Sequence, residues 1–134
     1  MTATAITVPA FSKSFEGFLD FLRDQNMGAA ALSPKRFSEV FSMDIQTLAT
    51  QAHVHRNTIS RAPASESVQR YLREALRVIR AATDLTGDVN RALFWYRNEP
   101  LQPFGYKTAE QLVSDGRTED LLRYIESLGA GAAG

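Results

Sequence analysis

The residues best suited to chemistry lie together in one stretch, LATQAHVHRNTISR, residues 48–61. Six of its side chains form the candidate nucleic-acid set: His55, Arg56, Asn57, Thr58, Ser60 and Arg61. They offer imidazole, guanidinium, amide and hydroxyl groups and no carboxylate. Arg pairs bidentately with guanine and Asn with adenine, while hydroxyls and helix-terminal N–H groups take phosphate oxygens. The two histidines, His53 and His55, do not suggest a metal. A spacing of two sends them to different sides of a helix, and the chain has no cysteine to complete a ligand set. No nucleophile elbow, phosphate-cradling glycine motif or paired-carboxylate signature occurs, so neither catalysis nor a cofactor nor a metal is expected.

The elements that position these groups follow from the spacing. Ala49 is small enough to let a second helix cross, His53 falls four residues later at a turn, Val54 follows at once, and Ile59 comes ten after Ala49. Leu48 and Ala52 complete the inner side. This is the pattern of a helix-turn-helix, two short helices of which the second enters the major groove. Glycine usually makes that turn, and His tolerates the positive φ better than most residues. The same pattern also suits two helices that only pack against each other.

Around this stretch the chain reads as helices throughout. Phe15, Phe18, Leu19 and Leu22 mark an amphipathic helix capped by Ser12 or Ser14 and ending near Asn26 to Gly28. Ser33 and Pro34 open a second, with Phe37, Val40 and Phe41 inward. From the Ser65 cap to Gly87, apolar residues keep a 3.6-residue period through Val68, Tyr71, Leu72, Ala75, Leu76, Ile79 and Ala82. The opposite face carries Arg70, Arg73, Arg77 and Arg80 among Glu66, Glu74 and Asp84, which reads either as a solvated, self-paired face or as a phosphate or partner contact. A helix from Asp88 stops before Pro100, and a loop with two prolines and Gly105 follows. Thr108 and Gln111 then have capping-box spacing. A last helix lies within residues 117–128, with Gly129 as the residue that ends it and the tail GAGAAG frayed beyond. No strand pattern or internal repeat appears, and the fold class is all-α.

The 134 residues are 44% apolar and 22% charged, a composition for a folded chain rather than a disordered one. Fifteen basic and fifteen acidic residues cancel, but unevenly. Residues 1–98 hold 12 Lys/Arg against 9 Asp/Glu and residues 99–134 hold 3 against 6, which is either chance or the mark of a nucleic-acid face and a protein-partner face. The absence of cysteine fits a reducing cytoplasm. The start, MTATAITVPAF, lacks the pattern of a signal peptide, and no apolar run suits a bilayer, so no membrane partner is expected.

Residues 92–131, ALFWYRNEPLQPFGYKTAEQLVSDGRTEDLLRYIESLGAG, run as Ala, Trp, a Pro-bearing loop, Leu, Gly, a short helix, Gly116, a Leu-rich helix and Gly129. Taken with the helix-turn-helix pattern before them, they resemble the Xre/MbcA/ParS antitoxins over about residues 40–131. Trp95 matches the family's helix tryptophan, Pro100 and Leu101 its loop, Gly105 its glycine, and Gly116, Leu122 and Ile125 its terminal helix. Thr108 and Ala109 stand where the family has a proline. The resemblance implies an antitoxin paired with an RES-domain toxin that consumes NAD or transfers ADP-ribose, with the N-terminal part on operator DNA and the C-terminal part over the toxin.

The expectation is thus an all-α chain with a helix-turn-helix region in residues 1–64, then a long helix and a small C-terminal toxin-binding region in residues 65–134. The toxin contacts expected are Arg97, Asn98, Arg123, Gly129, Ala130 and Gly131, while Trp95 and the terminal leucines serve either the toxin or the core. Operator binding implies a homodimer or a larger toxin–antitoxin complex. The alternative is a stand-alone helix-turn-helix transcriptional regulator.

Overall fold

The computed structural model describes residues 14–23 and 31–133. Among them the regular structure is all helical, in eight α-helices and a single 3-10 turn. The first, α1, is Phe15–Leu22, capped by Ser14, whose hydroxyl accepts from Gly17 N–H at 3.0 Å. Ser12 lies outside the described residues. The helix ends at Leu22, short of the expected Asn26 to Gly28. Arg23 turns extended and forms an isolated antiparallel bridge with Leu32. The guanidinium of Arg36 fixes that exit by donating to the carbonyls of Phe21 and Arg23 at 3.0 and 3.1 Å, so helix-terminal acceptors find partners without further turns.

Helix α2, Pro34–Val40, has Ser33 as N-cap and proline in its first turn, as the sequence predicts. Asp44 caps α3, Ile45–Ala52, and the accepted bond from Thr47 N–H holds its carboxyl below the usual range. The short α4 is Arg56–Arg61. The long helix α5, Glu66–Thr86, ends at Gly87 with φ 76, the left-handed conformation that favours glycine there. Ser65 occupies the N-cap position of α5, but its hydroxyl makes no capping bond. Helix α6 is Val89–Asn98, followed by the 3-10 turn Gln102–Phe104. Helix α7, Ala109–Ser114, carries the complete capping box between Thr108 and Gln111, and α8 is Thr118–Ala133.

The end of α8 corrects the sequence reading. Gly129 neither stops the helix nor takes a positive φ, and the backbone stays helical to Ala133. Gly129 instead lies beside α5, where a β-carbon on it would sit 3.7 Å from Leu85 Cδ1. That is ordinary contact distance, so neither packing nor a left-handed turn requires glycine at this position.

Helix α5 is the axis of the molecule and packs against α3, α6, α7 and α8. Its buried stripe of Leu72, Ala75, Val78, Ile79 and Ala82 joins Leu93 and Tyr96 of α6, Leu112 of α7, and Leu121 and Ile125 of α8 in one cluster. That cluster also takes in Phe37 and Phe41 from α2 and its end, and Leu48 and Ala49 from α3, so a single core runs through both parts of the chain. Each such leucine contributes about 1.5–3 kcal/mol by leaving water. The buried Gln69 of α5 ties loops to this axis, exchanging two hydrogen bonds with the Leu32 backbone at 2.9 and 2.8 Å and donating to Pro63 O at 2.9 Å.

Candidate nucleic-acid interface

Helices α3 and α4 are joined by a three-residue turn, and each expected packing residue lies where the spacing put it. Ala49 is fully buried and Leu48 nearly so, while Ile59 is 4% exposed and holds α4 to the core. His53 adopts φ 58 and ψ 39, so the histidine makes the left-handed turn that glycine usually makes. Val54 N–H donates to Ala49 O at 3.0 Å and closes the turn. The His53 side chain works elsewhere: Nε2–H donates to Ser114 O at 2.7 Å, reaching the end of α7. His55 caps α4, its Nδ1 accepting from Asn57 N–H at 3.1 Å, which leaves Nε2 carrying the ring proton toward the surface.

Of the six expected nucleic-acid contacts, His55, Arg56, Asn57, Ser60 and Arg61 are exposed and Thr58 is half-buried. They share one short helix and its cap. The charge around them is unusual for this molecule. Arg23, Arg70, Arg73, Arg77, Arg80, Lys107, Arg117 and Arg123 all face carboxylates within 4 Å. Arg56 and Arg61 form no ion pair with any described residue, and neither does Lys35 of α2 or the exposed Arg91 of α6, which stands apart from the other three in sequence. Lys35 belongs to the same surface: with Ser33, Pro34, Ile45 and Pro63 it lines a concavity of about 420 Å³ whose remaining wall is Ile59 and Ser60 of α4. The sequence reading missed Lys35, because only the packing of α2 beside α4 brings it there.

The arginine face of α5 takes the self-paired alternative. Arg70 and Arg73 share Glu66 at 3.7 and 2.8 Å, Arg77 bridges Glu74 and Glu119 at 3.2 and 2.8 Å, and Arg80 meets Glu16 at 3.9 Å and lies over the Phe15 ring. The Arg77 to Glu119 pair fastens α8 to α5, and both carboxylates raise the guanidinium's already high pKa.

The six expected partner contacts do not gather on one open surface. Arg97 is half-buried and turned inward, its Nη1 donating to Phe41 O at 2.6 Å. It also faces the buried Glu110 of α7. Burial raises the Glu110 pKa, and the Arg97 charge and a Gln51 hydrogen bond oppose that without cancelling it. Asn98 is half-buried and donates to Phe94 O at 3.1 Å. Arg123 is exposed but paired with Asp120 at 2.5 Å, and Arg117 and Arg123 together hold the Asp120 carboxyl low. Gly129 is half-buried on α8, with the next two residues, Ala130 and Gly131, exposed. Tyr96, rather than its neighbour Trp95, is the fully buried aromatic of α6, and Trp95 and Leu122 pack on the core from half-buried positions. Sequence reasoning missed four large apolar side chains that stay exposed: Leu85, Phe94, Tyr106 and Leu128.

No helix among the described residues is long and apolar enough to cross a membrane. Comparison of the chain with family models, curated proteins and solved structures finds no match.

Proposed function

We propose that this chain is the antitoxin of a toxin–antitoxin pair, that α3 and α4 act as a helix-turn-helix on its own operator, and that its C-terminal part covers an RES-domain toxin that consumes NAD or transfers ADP-ribose. The observation that carries the DNA half is electrostatic. The cations Lys35, Arg56 and Arg61 stand around the exposed face of α4 without an ion pair to any described residue, in a molecule whose other surface arginines, Arg91 of α6 excepted, are mostly matched to its own carboxylates. Unpaired cations beside amide and hydroxyl groups suit phosphate and base edges. The left-handed turn at His53 and the buried Ala49 support the same reading. The toxin half rests on the resemblance of residues 92–131, with the acidic balance of residues 99–134 in its favour. The chain then needs no catalysis of its own, and one short helix reading one half-site calls for a dimer or larger complex on DNA.

The surface of α4 equally serves a stand-alone transcriptional regulator, and co-expression separates the two readings. The chain produced together with the protein encoded by its neighbouring gene, the proposed toxin, is to be purified and sized by light scattering. A stable complex of both proteins supports the antitoxin. A chain that elutes alone, while still shifting its promoter in a gel, supports the regulator.

A further inference from the structure

Tyr106 adopts φ 67, in the left-handed region that residues with a β-carbon enter at a cost. Ser42 and His53 are the other non-glycine residues there among those described. Ser42 is small, and the His53 ring is held by Ser114. Tyr106 has neither excuse: it is 66% exposed, and its side chain makes no hydrogen bond or ring contact with a described residue. Its backbone is well used, with N–H donating to Leu101 O at 2.9 Å inside a loop that Leu101 and Lys107 close by an antiparallel bridge. The loop is pinned at both ends. Leu101 is buried, Phe104 sets its ring edge-on against Tyr124 at 5.6 Å beneath the Arg117 guanidinium, and Lys107 pairs with Asp115 at 2.7 Å. Gly105 beside it already supplies one left-handed residue. Nothing in the fold therefore calls for a bulky aromatic at position 106.

We propose that this loop, residues 101–107, is a protein-docking element whose anchor is Tyr106, and that it takes a basic partner surface with an apolar pocket for the phenol ring. The charge around it selects the partner. In residues 99–134 each basic side chain is matched by a carboxylate, Lys107 by Asp115 and both Arg117 and Arg123 by Asp120, while the exposed Glu99 and Glu126 form no ion pair with a described residue. Strain kept at an exposed aromatic is strain kept for a contact. A tyrosine already held in its display geometry loses little freedom on binding, and tyrosine is among the residues that dominate interface affinity.

The inference rests on the antitoxin reading, because the probe is the protein encoded beside this chain, the RES-domain partner proposed above. Affinity for it, measured by titration calorimetry, is compared with the melting temperature of each free variant. Asn accepts the left-handed conformation readily, so Tyr106→Asn should hold or raise Tm, by up to about 4 °C. The same change should weaken partner binding about tenfold or more, with Tyr106→Phe, which keeps the ring, falling between it and wild type. Tyr106→Asn that binds like wild type overturns the inference, and so does a lowered Tm, since the tyrosine would then be serving its own fold. A wild-type chain with no affinity for the probe removes the antitoxin reading itself, an outcome distinct from both.

Discussion

His53 and Ser114 stand 61 residues apart in the chain and meet at 2.7 Å, the imidazole Nε2–H donating to the serine carbonyl. The hydroxyl of the same serine donates to Gln51 O at 2.7 Å, so the end of α7 is fastened to both sides of the α3 C-terminus. The turn that presents α4 is thereby held by the C-terminal part of the molecule.

Position 53 must satisfy two demands, a positive φ and a side-chain donor. His53→Ala meets neither and should cost about 1–2 kcal/mol through a lost hydrogen bond and the left-handed backbone. His53→Gly meets the first and should cost less. Urea denaturation gives the order, and an alanine variant as stable as the glycine one would show that the left-handed turn places no demand there.

Glu110 is the buried carboxyl whose Oε2 has no hydrogen-bond partner, and burial raises its pKa in the folded chain above its ordinary value. The folded state therefore binds that proton more tightly than the unfolded state. The stability this gives is complete below the unfolded pKa and is lost as pH rises through the folded one. Glu110→Gln removes the loss. Melting curves should show the variant more stable than wild type at pH 7, with the gap closing toward pH 4; a variant less stable at pH 7 but not at pH 4 would mean that the charge facing Arg97 is what the site needs.

On the proposed reading, the α4 surface divides into groups that would read base edges and groups that would bind phosphate. Arg56→Ala and Asn57→Ala should each lose about 1–3 kcal/mol on the chain's own promoter and much less on random DNA. Lys35→Ala should weaken both alike and lower the slope of log affinity against log salt by about 0.9. Gel shifts across a salt series decide it, and a Lys35→Ala slope equal to that of wild type would place Lys35 off the DNA.

Much of the fold could be read before any coordinates because its signals are local. Ser33 before Pro34, Thr108 three before Gln111 and the seven-position apolar stripe of α5 each fix a helix through neighbours in sequence. The failures involve distant partners. Arg36 reaches back to end α1 at Leu22, and α8 runs on through Gly129 beside Leu85 of α5. The site follows the same division. Periodicity separated exposed His55, Arg56 and Asn57 from buried Ile59, but it could not show Lys35 arriving from α2 or Arg97 turning inward to Phe41.

The continuation of α8 has its own test. Neither Gly129 nor Gly131 takes a positive φ, and a methyl at 129 would meet Leu85 at ordinary contact distance. Gly129→Ala and Gly131→Ala should each hold or raise stability, by up to about 1 kcal/mol, and the pair should deepen the helical circular-dichroism signal. Loss of helical signal would return Gly129 to the role of a helix stop.

The central claim is that this chain silences an enzyme that consumes NAD. The direct measurement is the rate of NAD loss catalysed by the protein encoded beside it, the proposed RES-domain partner, as this chain is added in rising amounts. The account predicts a linear fall to zero at a fixed stoichiometric ratio, which Tyr106→Asn should make shallow and incomplete. An unchanged rate under excess chain, with the enzyme active and the chain folded by circular dichroism, would contradict it.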